Sequence, residues 1–259
     1  MSPLPSTLPA IVRTRIRASV RRRPRLTPRE AEERALLLRL LSLCLQYPDA
    51  ELTSGRLELV EAVRALPSSP AAARLAAFTD WFTAQDPEAL ESHYVETFDL
   101  RRRSSLYLTY YLHGDTRRRG MALLTLAQSY KAAGWDIGGG ELPDHLPVVL
   151  EFAALAGPGA GEAPLRRHRR GLGLIHRALE AADSPYHHLV GALLTLLPPL
   201  SEADEKAVAR LAAEGPPTEE VGLDPYGAYG HGEFAPPDAF VPPPAAPPTC
   251  HAEHTESVR

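Results

Sequence analysis

The chain has 259 residues, of which 44% are hydrophobic, so it is long enough to bury a sizeable core. Its formal net charge is −4, but residues 1–29 carry eight arginines and no acid, while residues 216–259 carry seven acids and one arginine. The part between them is mildly acidic, which argues against a nucleic-acid-binding surface because phosphate contacts need clustered positive charge.

The cysteine content and the hydropathy pattern both bear on the compartment. The only two cysteines are Cys44 and Cys250, which form no disulfide framework and fit a reducing compartment. No apolar run approaches the roughly 20 residues of a membrane span, and the N-terminus lacks the apolar stretch of a secretory signal. We therefore expect a cytoplasmic protein with no stable membrane insertion.

Proline and arginine divide the chain into three parts. Residues 1–26 mix Pro, Ser and Arg without an apolar face and are predicted to be a disordered basic tail. Residues 216–259 contain ten prolines, which cannot sustain helix or sheet, and are predicted to be a disordered Pro-rich acidic tail. The folded unit is predicted to be residues 27–215.

Capping signals predict helices along this unit. Thr27, Pro28 and Glu30 form a capping box with a proline in the first turn, and the helix that follows ends near Tyr47. Further helices are predicted to begin at Pro70 and Pro87, to run from Asp115 to Gly134, and to occupy residues 143–156, 164–183, 184–197 and 201–215. The predicted fold class is all-α, a single compact helical bundle.

Two connections are less regular. Residues 106–112 contain aromatics and threonine, which favour strands, but the all-helical context makes a short helix the preferred prediction. Residues 136–141 include three glycines and are interpreted as a hinge loop.

The first constellation that can carry a function lies between Tyr94 and Arg101. Tyr94 and Phe98 are four residues apart, so they share a helix face with Thr97 beside them, and Asp99 follows. They form either the lining of a groove for a partner helix or an ordinary piece of core with a solvated helix end. The sequence leaves both open.

The second constellation is Asp115, Arg117 and Arg119. Asp115 is predicted to cap a helix. Arginines in the first turn oppose the helix dipole, so a carboxylate or an anionic ligand should offset them, and Asp99 is a candidate partner.

The third constellation is Asp144, His145 and Leu146. Adjacent Asp and His side chains point in different directions and do not form a catalytic dyad, and neither HExxH nor CxxC spacing is present. A capping aspartate beside a hydrogen-bonding histidine is the structural interpretation. The catalytic alternative is a metal-dependent helical hydrolase that also recruits His113 and Asp115.

Four segments fall in a distinctive order within residues 35–200: Phe98-Asp99-Leu100-Arg101, Tyr107-Leu108-Thr109, Gly114-Asp115-Thr116-Arg117-x-Arg119-Gly120 and Leu142-Pro143-Asp144-His145-Leu146-Pro147. In this order they resemble the NarJ family of respiratory nitrate reductase assembly chaperones, which are related to the TorD-type redox-enzyme maturation proteins. The Arg-rich and Pro-rich ends lie outside the resemblance.

The resemblance implies an all-helical, cytoplasmic protein that is not an enzyme and has no cofactor or metal of its own. Its implied partner is the apo nitrate reductase α subunit, bound through the N-terminal segment until the molybdenum cofactor is inserted. Molybdenum cofactor biosynthesis proteins are further implied partners, and nucleic acid is not. The family's hinge motif maps onto Asp144, His145 and Leu146.

An amphipathic peptide helix docks through apolar anchors in a groove. The residues expected to bind it are Tyr94, Thr97, Phe98, Asp99, Arg101, Leu108, Tyr111, Asp115, Arg117 and Arg119. Tyr94→Ala or Tyr111→Ala is expected to weaken peptide binding without unfolding the domain. The alternatives to a chaperone are the hydrolase and a nucleic-acid-associated protein that works through the arginines between positions 13 and 25.

Overall fold

The computed structural model describes residues 26–138 and 140–214. These residues all belong to one unit of the chain, Met1–Glu219. Apart from Leu26, the two predicted tails lie outside the described residues.

The described residues are mainly α-helical, which confirms the predicted all-α class. The helices are α1 (Pro28–Cys44), α2 (Ala50–Ser54), α3 (Arg56–Arg64), α4 (Pro70–Ala84), α5 (Pro87–Tyr94), α6 (Tyr110–His113), α7 (Arg117–Ala132), α8 (Leu146–Ala156), α9 (Ala163–Arg167), α10 (Arg169–Ala181), α11 (His187–Leu196) and α12 (Glu202–Glu214). Wider π-type turns lie at Val95–Asp99 and Gly157–Gly161, and a 3-10 turn lies at Arg102–Ser104. Within the described ranges, no helix is both long enough and apolar enough to cross a membrane.

Local capping explains where several helices begin. At α1 the Glu30 amide donates to Thr27 Oγ1 at 3.3 Å, and the Thr27 amide donates to the Glu30 carboxylate at 2.7 Å. At α4 the Ala72 amide donates to Ser69 Oγ at 3.1 Å. These side chains satisfy amides that have no partner inside the helix, so the predicted start sites of α1 and α4 are confirmed.

The core forms where the helices cross. Helix α1 packs against α8, α4 lies against α3 and α11, and α10 contacts α11 and α12. An aromatic cluster joins these layers: the Tyr186 ring lies 5.1 Å from Phe78 and 4.8 Å from Phe98, measured between centroids. Rings at these separations are in the favourable range for edge and tilted contacts.

Three local predictions differ from the structure. Helices α2 and α3 occupy residues 50–64, where no helix was predicted. The helix predicted over residues 164–183 is broken at His168 into α9 and α10. The short helix predicted at residues 106–112 is reduced to α6, which starts only at Tyr110.

The residues before α6 pair instead with a distant segment. Tyr107 and His145 form an isolated antiparallel bridge. Beside it, the Leu108 amide donates to Asp144 O at 3.0 Å and the Leu146 amide donates to Leu106 O at 2.9 Å. These bonds join the segment before α6 to the start of α8. They hold the motif Tyr107-Leu108-Thr109 beside the motif Asp144-His145.

A glycine sets the exit from α8. A Cβ added to Gly161 would lie 2.9 Å from Ala153 O, so the backbone approaches α8 more closely than a larger residue allows. This approach turns the next residue, Glu162, inward, where it is 3% exposed.

Candidate functional site

An open groove of about 750 Å³ lies on the surface of the domain. Five parts of the chain contribute to it: the turn after α1, the end of α5 with the π-type turn that follows, the segment before α6, the end of α7 with the loop after it, and one face of α8. We call it the acidic groove; its lining residues are Gln46, Tyr47, Asp49, Tyr94, Asp99, Tyr107, Tyr130, Trp135, Asp136, Ile137, Gly138, Glu141, His145, Pro147, Val148, Glu151, Phe152 and Leu155.

Exposed apolar side chains line the acidic groove. Tyr47 is 44% exposed, Trp135 40% and Leu155 39%. Behind them, Tyr47 meets Tyr94 edge to face at 5.5 Å, and Tyr130 packs on Phe152 at 4.3 Å. Large apolar side chains grouped at a concave surface mark an interaction site more often than scattered ones do.

The charge of the acidic groove has one sign. Five carboxylate residues line it, and no lysine or arginine does so among the residues that the structure describes. The carboxylates are Asp49, Asp99, Asp136, Glu141 and Glu151. Clustered charge of one sign in a cleft raises the local concentration of oppositely charged ligands, so the acidic groove favours cations.

The titratable side chains of the acidic groove respond to burial and to this charge. Burial raises the pKa of Tyr94, and the negative charges of Asp99 and Glu141 raise it further. Burial lowers the pKa of His145, and Glu141, whose carboxylate lies 3.3 Å from His145 Nδ1, opposes that shift. At neutral pH His145 is therefore uncharged and does not offset the carboxylates.

Beneath the bridge lies a buried polar group, the Asp144 cradle, made of Thr109, Arg119 and Asp144. The Thr109 amide donates to Asp144 Oδ2 at 3.1 Å, and the Thr109 hydroxyl donates to the same oxygen. Arg119 Nη2 lies 3.8 Å from Asp144 Oδ2, and its guanidinium lies 5.6 Å from the centroid of the Tyr107 ring. The cradle therefore holds Tyr107, a lining residue, between α7 and the start of α8.

The contacts of Asp115 and Asp144 correct three predictions about helix caps and charge partners. Asp115 does not cap α7; Thr116 occupies the cap position without a side-chain bond, and Asp115 instead pairs with Arg119 at 3.3 Å. A carboxylate does offset Arg119, as expected, but it comes from Asp144 and Asp115 and not from Asp99. Asp144 likewise caps no helix: His145 occupies the cap position of α8, and Asp144 Oδ2 instead accepts the bond from the Thr109 amide.

The structure brings only part of the predicted peptide-binding set to the acidic groove. Tyr94 and Asp99 line it, as does His145 of the hinge motif. Arg101, Asp115, Arg117 and Arg119 do not line it, and neither does Leu146, which is 0% exposed. The hinge role of Asp144, His145 and Leu146 stays a prediction.

Four residues expected to form the groove wall are core residues. Thr97, Phe98 and Leu108 are buried and do not line the acidic groove. Tyr111 is also buried; its hydroxyl donates to Arg103 O and Ser105 O. Replacing such a side chain with alanine leaves a cavity that costs about 3–5 kcal/mol. Tyr111→Ala is therefore expected to destabilise the domain, and so is Tyr94→Ala, since the Tyr94 side chain is also buried, contrary to the prediction from sequence.

Sequence reasoning missed Tyr47, Trp135 and Glu141. All three stand in turns or loops, where helical periodicity gives no signal. The available signal was local: an aromatic residue next to the helix-ending Pro48, and a tryptophan followed by an acid and a glycine run.

Comparisons with known proteins identify the family of this chain. A family model described as nitrate reductase delta subunit matches residues 65–190. The nitrate reductase-like protein NarX of Mycobacterium tuberculosis (strain ATCC 25618 / H37Rv) is 41% identical over 152 residues, which are 59% of this chain but only 23% of NarX. The chain thus corresponds to about a quarter of that relative.

Two shorter relatives match over most of their length. The probable nitrate reductase molybdenum cofactor assembly chaperone NarJ of Bacillus subtilis (strain 168) is 33% identical over 64% of this chain and 90% of its own. The corresponding NarJ of Escherichia coli (strain K12) is 34% identical over 65% of this chain and 72% of its own. The chain belongs to the NarJ family.

Among solved structures, a putative redox enzyme maturation protein from Archaeoglobus fulgidus is similar, with 23% sequence identity and a TM-score of 0.48. The match covers 68% of this chain and 98% of that one. As for the hydrolase alternative, no three His, Cys, Asp or Glu side chains are grouped to hold a metal ion within residues 26–138 and 140–214.

Proposed function

We propose that this chain is an assembly chaperone for a molybdenum-containing nitrate reductase. Its family membership supports this role, because the NarJ relatives are named as nitrate reductase molybdenum cofactor assembly chaperones. The proposed client is the apo form of the catalytic α subunit, held in the cytoplasm through its N-terminal segment until the cofactor is inserted. The chaperone role requires no catalytic step by this chain.

The acidic groove is the proposed client site, and one observation carries this assignment. It combines exposed aromatic side chains with five carboxylate residues and no described lysine or arginine. Such a surface recognises a polypeptide that offers apolar anchors and positive charge together. The client segment is therefore expected to be basic and apolar, and its binding is expected to weaken as salt is added.

The proposal is tested by titrating the full chain with a peptide of the α-subunit N-terminus, followed by calorimetry. Replacing Trp135 with alanine removes an exposed aromatic anchor and is expected to weaken binding about tenfold or more. The matched control is Leu57→Ala on α3, since Leu57 is 70% exposed and lies outside the acidic groove. Equal losses in the two variants would contradict the assignment.

A second pair of variants tests the charge. Glu141→Gln with Glu151→Gln removes two negative charges from the acidic groove and is expected to weaken binding about five- to tenfold at low salt. Glu58→Gln with Glu61→Gln removes two charges from exposed positions on α3 that do not line it. The control pair is expected to leave the affinity unchanged.

A further inference from the structure

The acidic groove and the N-terminal end of the chain carry complementary charge. Residues 1–25 contain seven arginines and no acidic residue. The acidic groove contains five carboxylate residues whose charge no described lysine or arginine of its lining offsets. The chain thus supplies, on one polypeptide, a cationic segment and a cleft lined by carboxylates.

We propose that residues 7–17 of this chain occupy the acidic groove, tethered to α1 through residues 18–27, and compete there with the client segment. The proposal rests on the proposed function in one respect, the identity of the competitor. That this segment binds the acidic groove is argued from the charge of the segment, from the length of chain before α1, and from the charge and lining of the groove.

The N-terminal segment is long enough to reach from the start of α1 to the acidic groove. Helix α1 begins at Pro28, and the acidic groove begins at Gln46 and Tyr47, just beyond its C-terminal end. A helix of 17 residues is about 25 Å long at a rise of 1.5 Å per residue. A chain covers that distance in about eight residues at roughly 3.3 Å each, so residues before Ala18 can lie at the acidic groove.

The residues within reach carry the chemistry that the groove selects. Residues 11–17 combine three apolar side chains, Ile11, Val12 and Ile16, with three arginines, Arg13, Arg15 and Arg17. Apolar side chains suit the contact surface of Tyr47, Trp135 and Leu155, and guanidinium groups suit its carboxylates.

A smaller pocket, lined by residues of α10 and α12 and of the 3-10 turn Arg102–Ser104, is a poor alternative for the same segment. It has about 270 Å³ and is lined by Arg102, Arg103 and Arg177 together with apolar side chains. Three arginines repel an arginine-rich segment, so charge selects the acidic groove over this pocket.

The competition lowers the affinity for an added client peptide. A tethered segment has an effective concentration on the order of 1 mM. If its own dissociation constant is about 0.1 mM, it reduces the apparent client affinity about tenfold, because only the unoccupied fraction binds.

Three variants of the full chain test this inference by calorimetry with the α-subunit peptide. Arg13→Ser, Arg15→Ser and Arg17→Ser together are expected to tighten client binding about tenfold. Arg39→Ser, Arg64→Ser and Arg177→Ser make the same change in net charge at exposed positions outside the acidic groove and are expected to have no effect. Ile11→Ser with Ile16→Ser keeps the charge and is expected to tighten binding severalfold. Equal client affinity in the wild type and both tail variants would overturn the inference and leave the proposed function standing.

A second measurement does not depend on the client. A synthetic peptide of residues 7–25 is added to the triple-arginine tail variant, and the fluorescence of Trp135 is recorded in a Trp81→Phe background. A saturable change that Glu141→Gln with Glu151→Gln weakens supports the inference even if no client peptide binds, in which case the proposed function alone fails. No change at millimolar peptide overturns it, and so does light scattering that shows a dimer lost only in the tail variant, since the segment would then be exchanged between copies.

Discussion

Two buried carboxylates in this domain are held in different ways. Glu162, which is 3% exposed, forms an ion-pair cluster with Arg34 and Arg166 that we call the clamp. Arg34 donates to both Glu162 carboxylate oxygens, one at 3.0 Å, and Arg166 donates to the carboxylate at 3.3 Å. Asp144, 0% exposed, receives its described donors on Oδ2, while its Oδ1 makes no hydrogen bond with any described residue.

The difference separates a stabilising contact from an adjustable one. The clamp joins α1 to the turn before α9 and, through a 2.6 Å bond from Arg34 to Leu196 O, to the end of α11. Both Glu162 oxygens are satisfied, and the clamp lies outside the acidic groove. The Asp144 cradle adjoins the acidic groove through Tyr107 and leaves an oxygen available. We therefore expect changes at the clamp to act on stability, and changes at the cradle to act on the groove as well.

The largest expected effect is that of Glu162→Ala. It leaves the mostly buried Arg34 guanidinium without its counter-charge, which costs about 3–5 kcal/mol of unfolding free energy. Urea unfolding followed by circular dichroism measures the change. The matched control is Glu33→Ala, which breaks the exposed Arg29–Glu33 pair of 2.8 Å and is expected to cost less than about 1 kcal/mol. Similar costs for the two variants would remove the distinction between clamp and surface pair.

His168, at the junction of α9 and α10, is expected to make the domain acid-sensitive. Its pKa is lowered to about 4, chiefly by burial and also by the charges of Arg167 and His113, while the charge of Asp144 opposes the shift. As pH falls below about 6.5, His168 becomes protonated in the unfolded chain but stays neutral in the folded chain. The free energy of unfolding therefore declines until about pH 4, where the folded chain is protonated as well. The expected loss of unfolding free energy is about 3 kcal/mol. Unfolding curves measured at pH 7 and at pH 4.5 detect most of this loss.

His168→Gln isolates this contribution. The substitution removes the titrating group, so the variant is expected to lose less stability between the two pH values than the wild type. An identical pH dependence in both proteins would assign the acid sensitivity to other groups.

Asp144→Asn tests the cradle. The amide keeps the shape and an acceptor for Thr109 but loses the charge that faces Arg119, so the expected cost is about 1–2 kcal/mol. Because the cradle holds Tyr107, client peptide binding is also expected to weaken. Glu162→Gln is the control, since it is expected to destabilise the domain without changing affinity under conditions where both variants are folded. Unchanged affinity for Asp144→Asn would make the cradle as purely structural as the clamp.

The sequence predicted what depends on neighbours along the chain. Thr27 marks the start of α1 through a contact with Glu30 three residues away, and Pro70 marks the start of α4 through its place in the first turn; both starts are correct. The break at His168 and the pairing of Tyr107 with His145 depend on packing between distant segments, which periodicity does not encode. The family motifs were recognised, but their arrangement around the acidic groove required the fold, because its aromatic wall comes from loops.

The smallest expected effect compares two arginine-to-lysine changes. Arg119→Lys keeps the charge near Asp144 but loses the 3.3 Å bond from Nε to Thr109 Oγ1 and the contact with the Tyr107 ring, for an expected cost of about 0.5–1 kcal/mol. Arg34→Lys loses the bidentate hydrogen bonds to Glu162 together with the bond to Leu196 O. Its cost in unfolding free energy is therefore expected to be at least twice as large. Urea unfolding of the two variants in parallel measures the ratio. If Arg119→Lys proves the more costly, then the cradle and not the clamp is the principal polar support of the fold.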